Sequence, residues 1–294
     1  MDDSRETNGK VIGVRRLKEA MAKPASTRIF TVANQKGGVG KTTSTVNIAA
    51  ALAMGGLRVL VIDLDPQGNA STALGVDHHE GVPSIYEVLS GERTLAEVVQ
   101  PCPDIPNLMT APATIDLAGA EIELVSQVAR EYRLSRAVEA YLEHVVRSTG
   151  EPVDYVFLDC PPSLGLLTLN GLVAAREVLL PIQCEYYALE GLSQLLRTVE
   201  MVTTHLNPKL QVSAILLTMY DGRTRLASQV AEEVRTHFGT KVLETVIPRN
   251  VRISEAPSYA QSVLTYDPSS PGALTYQEAA AQFAAIDPQS NPQT

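Results

Sequence analysis

Cysteine is scarce: the chain has three, Cys102, Cys160 and Cys184, and no two of them form a Cys-x-x-Cys pair. An odd, widely spaced set supplies neither a disulfide framework nor a zinc site, and each reads as a small buried apolar residue. No apolar run approaches the roughly 18 residues of a membrane span, and the N-terminus has no apolar signal core. The expectation is a cytoplasmic protein with no integral membrane association. Internal repeats and low-complexity tracts are also absent, as is any Pro/Gly/Ser-rich linker through the middle of the chain. Positive charge is short, with 24 Lys and Arg against 33 Asp and Glu and a net charge of −9. That excludes a uniformly basic nucleic-acid binder. The basic residues are unevenly placed, however. Residues 1–28 carry seven Lys/Arg against four Asp/Glu, and residues 221–252 carry six against four. An acidic chain with one locally basic face binds DNA weakly and salt-sensitively.

What is present is enough apolar material for a sizeable core, 45% of 294 residues, and an alternation of strand-like and helix-like segments. Arg28–Val32, Arg58–Asp63, Val153–Asp159, Glu177–Ile182 and Leu210–Leu217 are apolar, largely β-branched runs of the kind buried on both faces of a sheet. Helical spacing is expected over 42–54, 116–147 with one break, 188–205, 226–238 and 273–286. This pattern implies an α/β fold, a doubly wound and mainly parallel sheet with helices on both faces. Residues 27–286 are expected to form a single domain, flanked by a flexible tail at 1–26 and a disordered one at 287–294. Residues 11–22 have the spacing of a short basic amphipathic helix. Ligands of such sheets bind beyond the carboxyl ends of the strands, where Asp65 and Asp159 both lie.

The chemistry concentrates in Ala33-Asn-Gln-Lys-Gly-Gly-Val-Gly-Lys-Thr-Thr43. A strand, a glycine loop and a helix N-terminus in that order form a phosphate cradle. The glycines let backbone N–H groups converge on an anion, and the helix end adds partial positive charge. Lys41 would reach the β- and γ-phosphates and Thr42 would bind Mg²⁺, with Gly37, Gly38, Val39, Gly40 and Thr43 completing the loop. The usual P-loop begins with Gly six residues before its lysine; here that place is Gln35, and a second lysine, Lys36, follows it. This resembles the deviant Walker A loop of the ParA/MinD group of P-loop ATPases, and within it the ParA-type (Soj-like) chromosome partition ATPases.

The resemblance covers residues 27–285 and implies an Mg²⁺-dependent ATP hydrolase. It assigns Lys36 to the partner subunit's phosphates in an ATP-bridged sandwich dimer, a cation supplied in trans where charge develops. It makes Asp159, at the end of Tyr-Val-Phe-Leu-Asp, the Walker B acid that holds Mg²⁺. In Asp63-Leu-Asp65-Pro-Gln-Gly-Asn, Asp65 matches the carboxylate that orients the hydrolytic water; Asp63 is either near the metal's outer shell or structural. Ile247-Pro-Arg-Asn-Val-Arg252 matches a segment beside the adenine, with Pro248 and Asn250 as base contacts. Arg223 and Arg252 match arginines used for non-specific duplex DNA binding, with Arg225, Lys241 and Arg249 as nearby candidates. A centromere-bound ParB protein is the implied activator, releasing the ATPase from the nucleoid as replicated origins are positioned.

Four rivals use similar loops. A MinD-like division-site ATPase should end in a basic amphipathic helix, for which Asp287-Pro-Gln-Ser-Asn-Pro-Gln-Thr294 is unsuited. A nitrogenase-like iron protein needs cysteines placed for a cluster shared across a dimer, and Cys160 alone does not provide them. A scaffold that binds ATP without hydrolysing it would lack the switch carboxylate, yet Asp65 is present. A plasmid partition ATPase differs mainly in cargo, although no extra DNA-binding domain precedes the loop.

Overall fold

Hydrophobic alternation places the sheet strands between two apolar layers, and the computed structural model of the chain describes residues 21–185 and 190–286. The N-terminal stretch 1–20 and the tail 287–294, including most of the 11–22 segment with helical spacing and most of the tail expected to be flexible, lie outside the described residues. Among those described, one seven-stranded sheet is formed by β1 (Arg28–Val32), β2 (Val59–Asp63), β3 (Gln100–Pro101), β4 (Leu108–Ala111), β5 (Tyr155–Asp159), β6 (Glu177–Gln183) and β7 (Gln211–Thr218). The strand order is β3-β4-β2-β5-β1-β6-β7. Every pairing is parallel except β3 with β4 at one edge. The α/β fold class expected from the sequence is the fold observed.

Period-2 alternation decides which layer each side chain enters. Phe30, Val32, Val61, Tyr155 and Phe157 join the core under helices Lys41–Met54 and Pro271–Ala285. Ile29, Leu60, Ile62, Val156 and Leu158 join the opposite core, packed beneath helices Arg133–Thr149, Leu166–Ala174, Glu190–His205 and Arg225–Phe238. Aromatic residues are few, and three of the four phenylalanines are spent in one stack: Phe30 lies 5.7 Å from Phe157 and 4.5 Å from Phe283. Arg28 sits over the Phe30 ring at 4.7 Å and forms a fully buried pair with Glu177 of β6.

Helix Leu166–Ala174 approaches the sheet closely at Gly171, whose carbonyl accepts a 2.7 Å bond from Thr31 Oγ1. A Cβ at that glycine would stand 2.9 Å from Cys160 Sγ, so only glycine fits. The register aligns Val32 and Asp63 with Asp159 on adjacent strands. The exit loops of β1, β2 and β5 therefore leave the same end of the sheet side by side, where a doubly wound fold puts its ligands.

Candidate functional site

The loop after β1 is shaped by its own backbone and by one asparagine. Asn34 Nδ2 donates to Pro181 O at 2.8 Å, and its Oδ1 accepts the Lys36 N–H at 3.0 Å. Gly40, at φ 87°, is the left-handed residue from which helix Lys41–Met54 starts; a side chain there would be strained. Thr218 Oγ1, at the end of β7, fastens the loop by donating to Val39 O at 2.8 Å. Lys41 is buried, with Nζ 3.3 Å from Lys36 O. Burial lowers its pKa, against the pull of Asp159 and Asp65.

Three carboxylates face this loop, and their partners separate them. Asp159 is fully buried, and it accepts from Thr42 Oγ1 at 2.7 Å and from Thr45 Oγ1 at 2.8 Å. Asp63, also fully buried, accepts from Asp65 N at 3.1 Å, Ser71 N at 2.9 Å and Ser71 Oγ at 2.7 Å. Burial, and for Asp63 the adjacent charge of Asp159, pushes both carboxyls well above the ordinary range. Asp65 is different: one oxygen accepts Gln67 N at 3.1 Å, and among the described residues no hydrogen bond engages the other. Its side chain lines a cavity of about 490 Å³ together with Gly38, Lys41 and Thr42.

A hard divalent cation suits this donor set. Mg²⁺ is held by one or two carboxylates plus phosphate oxygens, and the Asp159–Thr42 pair offers those oxygens beside a phosphate loop. The buried negative charge of Asp159 has hydroxyl partners and Lys41 nearby, so a cation here would complete its neutralisation.

The other expected residues fall less evenly. Lys36 is ion-paired with Glu185 of its own chain, both side chains 37% exposed. Pro248 and Asn250 do not line the cavity. Asn250 Oδ1 instead caps helix Val251–Glu255 by accepting Arg252 N at 2.9 Å. The apolar wall comes from Met219, Ile253, Ala256, Pro257 and Val263, which sequence reasoning did not single out. A bridge between Tyr220 and Pro248 sets the two arginine-bearing segments side by side, bringing Arg223, Arg225, Arg249 and Arg252 to one region. Arg223 is held by Asp221 at 2.8 Å, and Arg252 by Glu255 at 3.0 Å and Asp267 at 3.3 Å. Lys241 lies apart, beyond the far end of helix Arg225–Phe238. Thr45 and Ser71 were also missed; the one signal for Thr45 was its position one helical turn after Thr42. All three cysteines are free and buried, and burial raises the Cys160 thiol far above its usual pKa. That leaves no exposed thiol for a cluster.

Fold, loop and buried carboxylates together define a P-loop nucleotide-binding protein. A family model described as an AAA domain matches residues 27–212. The sporulation initiation inhibitor protein Soj of Bacillus subtilis is 51% identical over 258 residues, 88% of this chain and 98% of that one. The chromosome partitioning protein ParA of Caulobacter vibrioides is 49% identical, over 87% of this chain and 93% of that one. Among solved structures, a protein described as cobyrinic acid a,c-diamide synthase from Mycobacterium smegmatis, with bound ADP and magnesium, is 41% identical with a TM-score of 0.71. That match covers 86% of this chain and 92% of the other. The chain belongs to the Soj/ParA family of chromosome partitioning proteins. No helix among the described residues is long and apolar enough to cross a membrane.

Proposed function

We propose that this protein is an Mg²⁺-dependent ATPase of chromosome partitioning. It dimerises on ATP, binds duplex DNA without sequence preference and leaves it when a ParB-type centromere-binding protein stimulates hydrolysis. The observation that carries the catalytic reading is the division of labour among the three carboxylates. Asp63 is saturated by the loop it braces, and Asp159 is clamped by two threonines next to Lys41. Asp65 alone keeps an oxygen available, on the wall of the cavity.

In this reading the N–H groups of Gly38 to Thr43 and the Lys41 ammonium bind the phosphates. Thr42 and Asp159 would hold Mg²⁺, which would supply charge neutralisation at the phosphate oxygens. Asp65 orients the attacking water and draws its proton, so catalysis is mostly positioning and electrostatics. Lys36 exchanges Glu185 for the phosphates of a second subunit. The adenine occupies the apolar side of the cavity, next to the Pro248–Asn250 turn.

DNA contact is assigned to the Arg223, Arg225, Arg249 and Arg252 region, with Lys241 at its periphery. Arg223 and Arg252 have carboxylate partners to leave, so phosphate contacts there replace existing ion pairs, which favours weak, reversible binding. The protein is placed in the cytoplasm, on the nucleoid. Steady-state ATP hydrolysis, measured with and without duplex DNA and a ParB N-terminal peptide, tests the reading. Stimulation requiring both, with DNA affinity that falls steeply with salt for any sequence, is the expected result. Salt-insensitive, sequence-selective binding, or turnover indifferent to both partners, would contradict it.

A further inference from the structure

Between helix Leu95–Val98 and helix Arg133–Thr149 lies a second cavity, of about 630 Å³, a size that takes a ligand or a short peptide. The long helix sets its chemistry. Leu134, Val138, Tyr141 and Val145 are buried in the core. Arg136, Ala140, His144 and Arg147, spaced by four, four and three residues, form an exposed stripe beside them. All four line the cavity, and Arg93 joins them from the other wall. Leu95, Ala96, Ala137 and Tyr141 add apolar surface.

The arginines are not balanced from within. Among the described residues, none of Arg93, Arg136 and Arg147 forms an ion pair. Glu97 is the one carboxylate among the lining residues, and it is already engaged. Its Oε2 accepts both Thr94 N and Thr94 Oγ1 at 2.7 Å. Glu139 and Glu143 stand on the same helix but do not line the cavity. In a chain of net charge −9, three guanidiniums without counter-charge around one hollow fit an anion, and their planar forks match carboxylates in particular.

The spacing narrows the choice. Arg136 and Arg147 are about 16 Å apart along the helix axis, a distance that an extended peptide covers in about five residues. We propose that this cavity receives an acidic peptide segment of a partner protein. Carboxylates about five residues apart meet Arg136 and Arg147, and small apolar residues between them rest on Ala137, Ala140 and Tyr141. A duplex presents phosphate and sugar to such a surface and gains nothing from its apolar floor.

The cavity stands clear of the sites described above. Arg58, just before β2, donates to Thr149 Oγ1 at 3.0 Å and to Glu151 O at 2.7 Å, which fixes the Arg147 end of the helix at the amino end of the sheet. The phosphate loop is at the carboxyl end. Helix Leu95–Val98 leads into β3, at the edge opposite β7, after which Arg223 and Arg225 follow. A peptide held here leaves the nucleotide cavity and that arginine region free.

The test is fluorescence anisotropy of the labelled peptide Asp-Glu-Ala-Leu-Ala-Glu-Asp titrated with the full chain, with Asn-Gln-Ala-Leu-Ala-Gln-Asn as its uncharged control. Saturable binding of the acidic peptide alone is expected, and excess ADP with Mg²⁺ should not displace it. Arg136→Ala and Arg147→Ala should each weaken it about threefold and the double variant about tenfold, with Arg136→Lys retaining part of the loss. Both arginines are exposed and without described hydrogen-bond partners, so the variants should fold, which the thermal midpoint checks. Absence of saturable binding, equal binding of the uncharged peptide, displacement by ADP, or a double variant that binds like the unmodified chain would each overturn the proposal. So would a double variant that loses affinity for labelled duplex DNA while keeping the peptide.

Discussion

Asp65 and Lys36 each stand at the point where the chain stops satisfying itself. One Asp65 oxygen takes a backbone N–H, and no hydrogen bond from the described residues engages the other. Lys36 has a partner, but Glu185 is surface-exposed and the pair is one that water screens. Its exchange for a polyphosphate is therefore energetically easy. Asp65→Ala should retain ATP binding and ATP-dependent dimerisation while turnover falls by about 100-fold or more, the usual scale for a lost general base. Paired measurements of ATPase rate and sedimentation check this; near-normal hydrolysis would reassign the base. The sequence carried the loop residues plainly, since glycine, lysine and threonine spacing is itself the chemistry. It did not carry the Thr45 clamp or the Lys36–Glu185 pair, because each joins residues more than 100 positions apart through sheet register.

Strands β1, β2 and β5 were legible because residues buried on both faces give unbroken apolar runs. Helix Leu166–Ala174 was not foreseen: it is buried nearly all round, so it lacks an amphipathic period, and Pro161-Pro162 before it read as loop. The break expected within 116–147 falls between Leu124 and Arg133, where Ala129 is left-handed at φ 52°, a conformation that alanine gives no reason to expect. The two-residue β3 ends in Pro101 and is too short to leave a pattern. One element-level feature has a direct energetic consequence. Arg28 of β1 reaches Glu177 of β6 by bonds of 2.8 and 2.6 Å, and its other nitrogen donates to Phe283 O and Ile286 O, so one buried pair joins two strands and the end of helix Pro271–Ala285. Glu177→Gln keeps the shape and leaves the guanidinium without a counter-charge. Urea unfolding should show a loss of about 3–5 kcal/mol. A loss below about 1 kcal/mol would mean that the pair behaves as an exposed one.

At the scale of the whole molecule, the parallel order gathers three exit loops at one end of the sheet, and that end holds the phosphate loop, the buried carboxylates and Lys36. Fold class was readable from strand–helix alternation. The central claim is that each nucleotide is served by two subunits. It is tested most directly by mixing two variants, Lys36→Ala and Lys41→Ala, each defective alone. In a mixed dimer, the subunit with an intact Lys41 receives Lys36 from its partner, so one site is complete. ATP hydrolysis by the mixture should therefore exceed the summed rates of the two variants measured separately. A mixture no more active than that sum, with mixed dimers demonstrably formed, would show that Lys36 serves its own chain's site and would contradict the account.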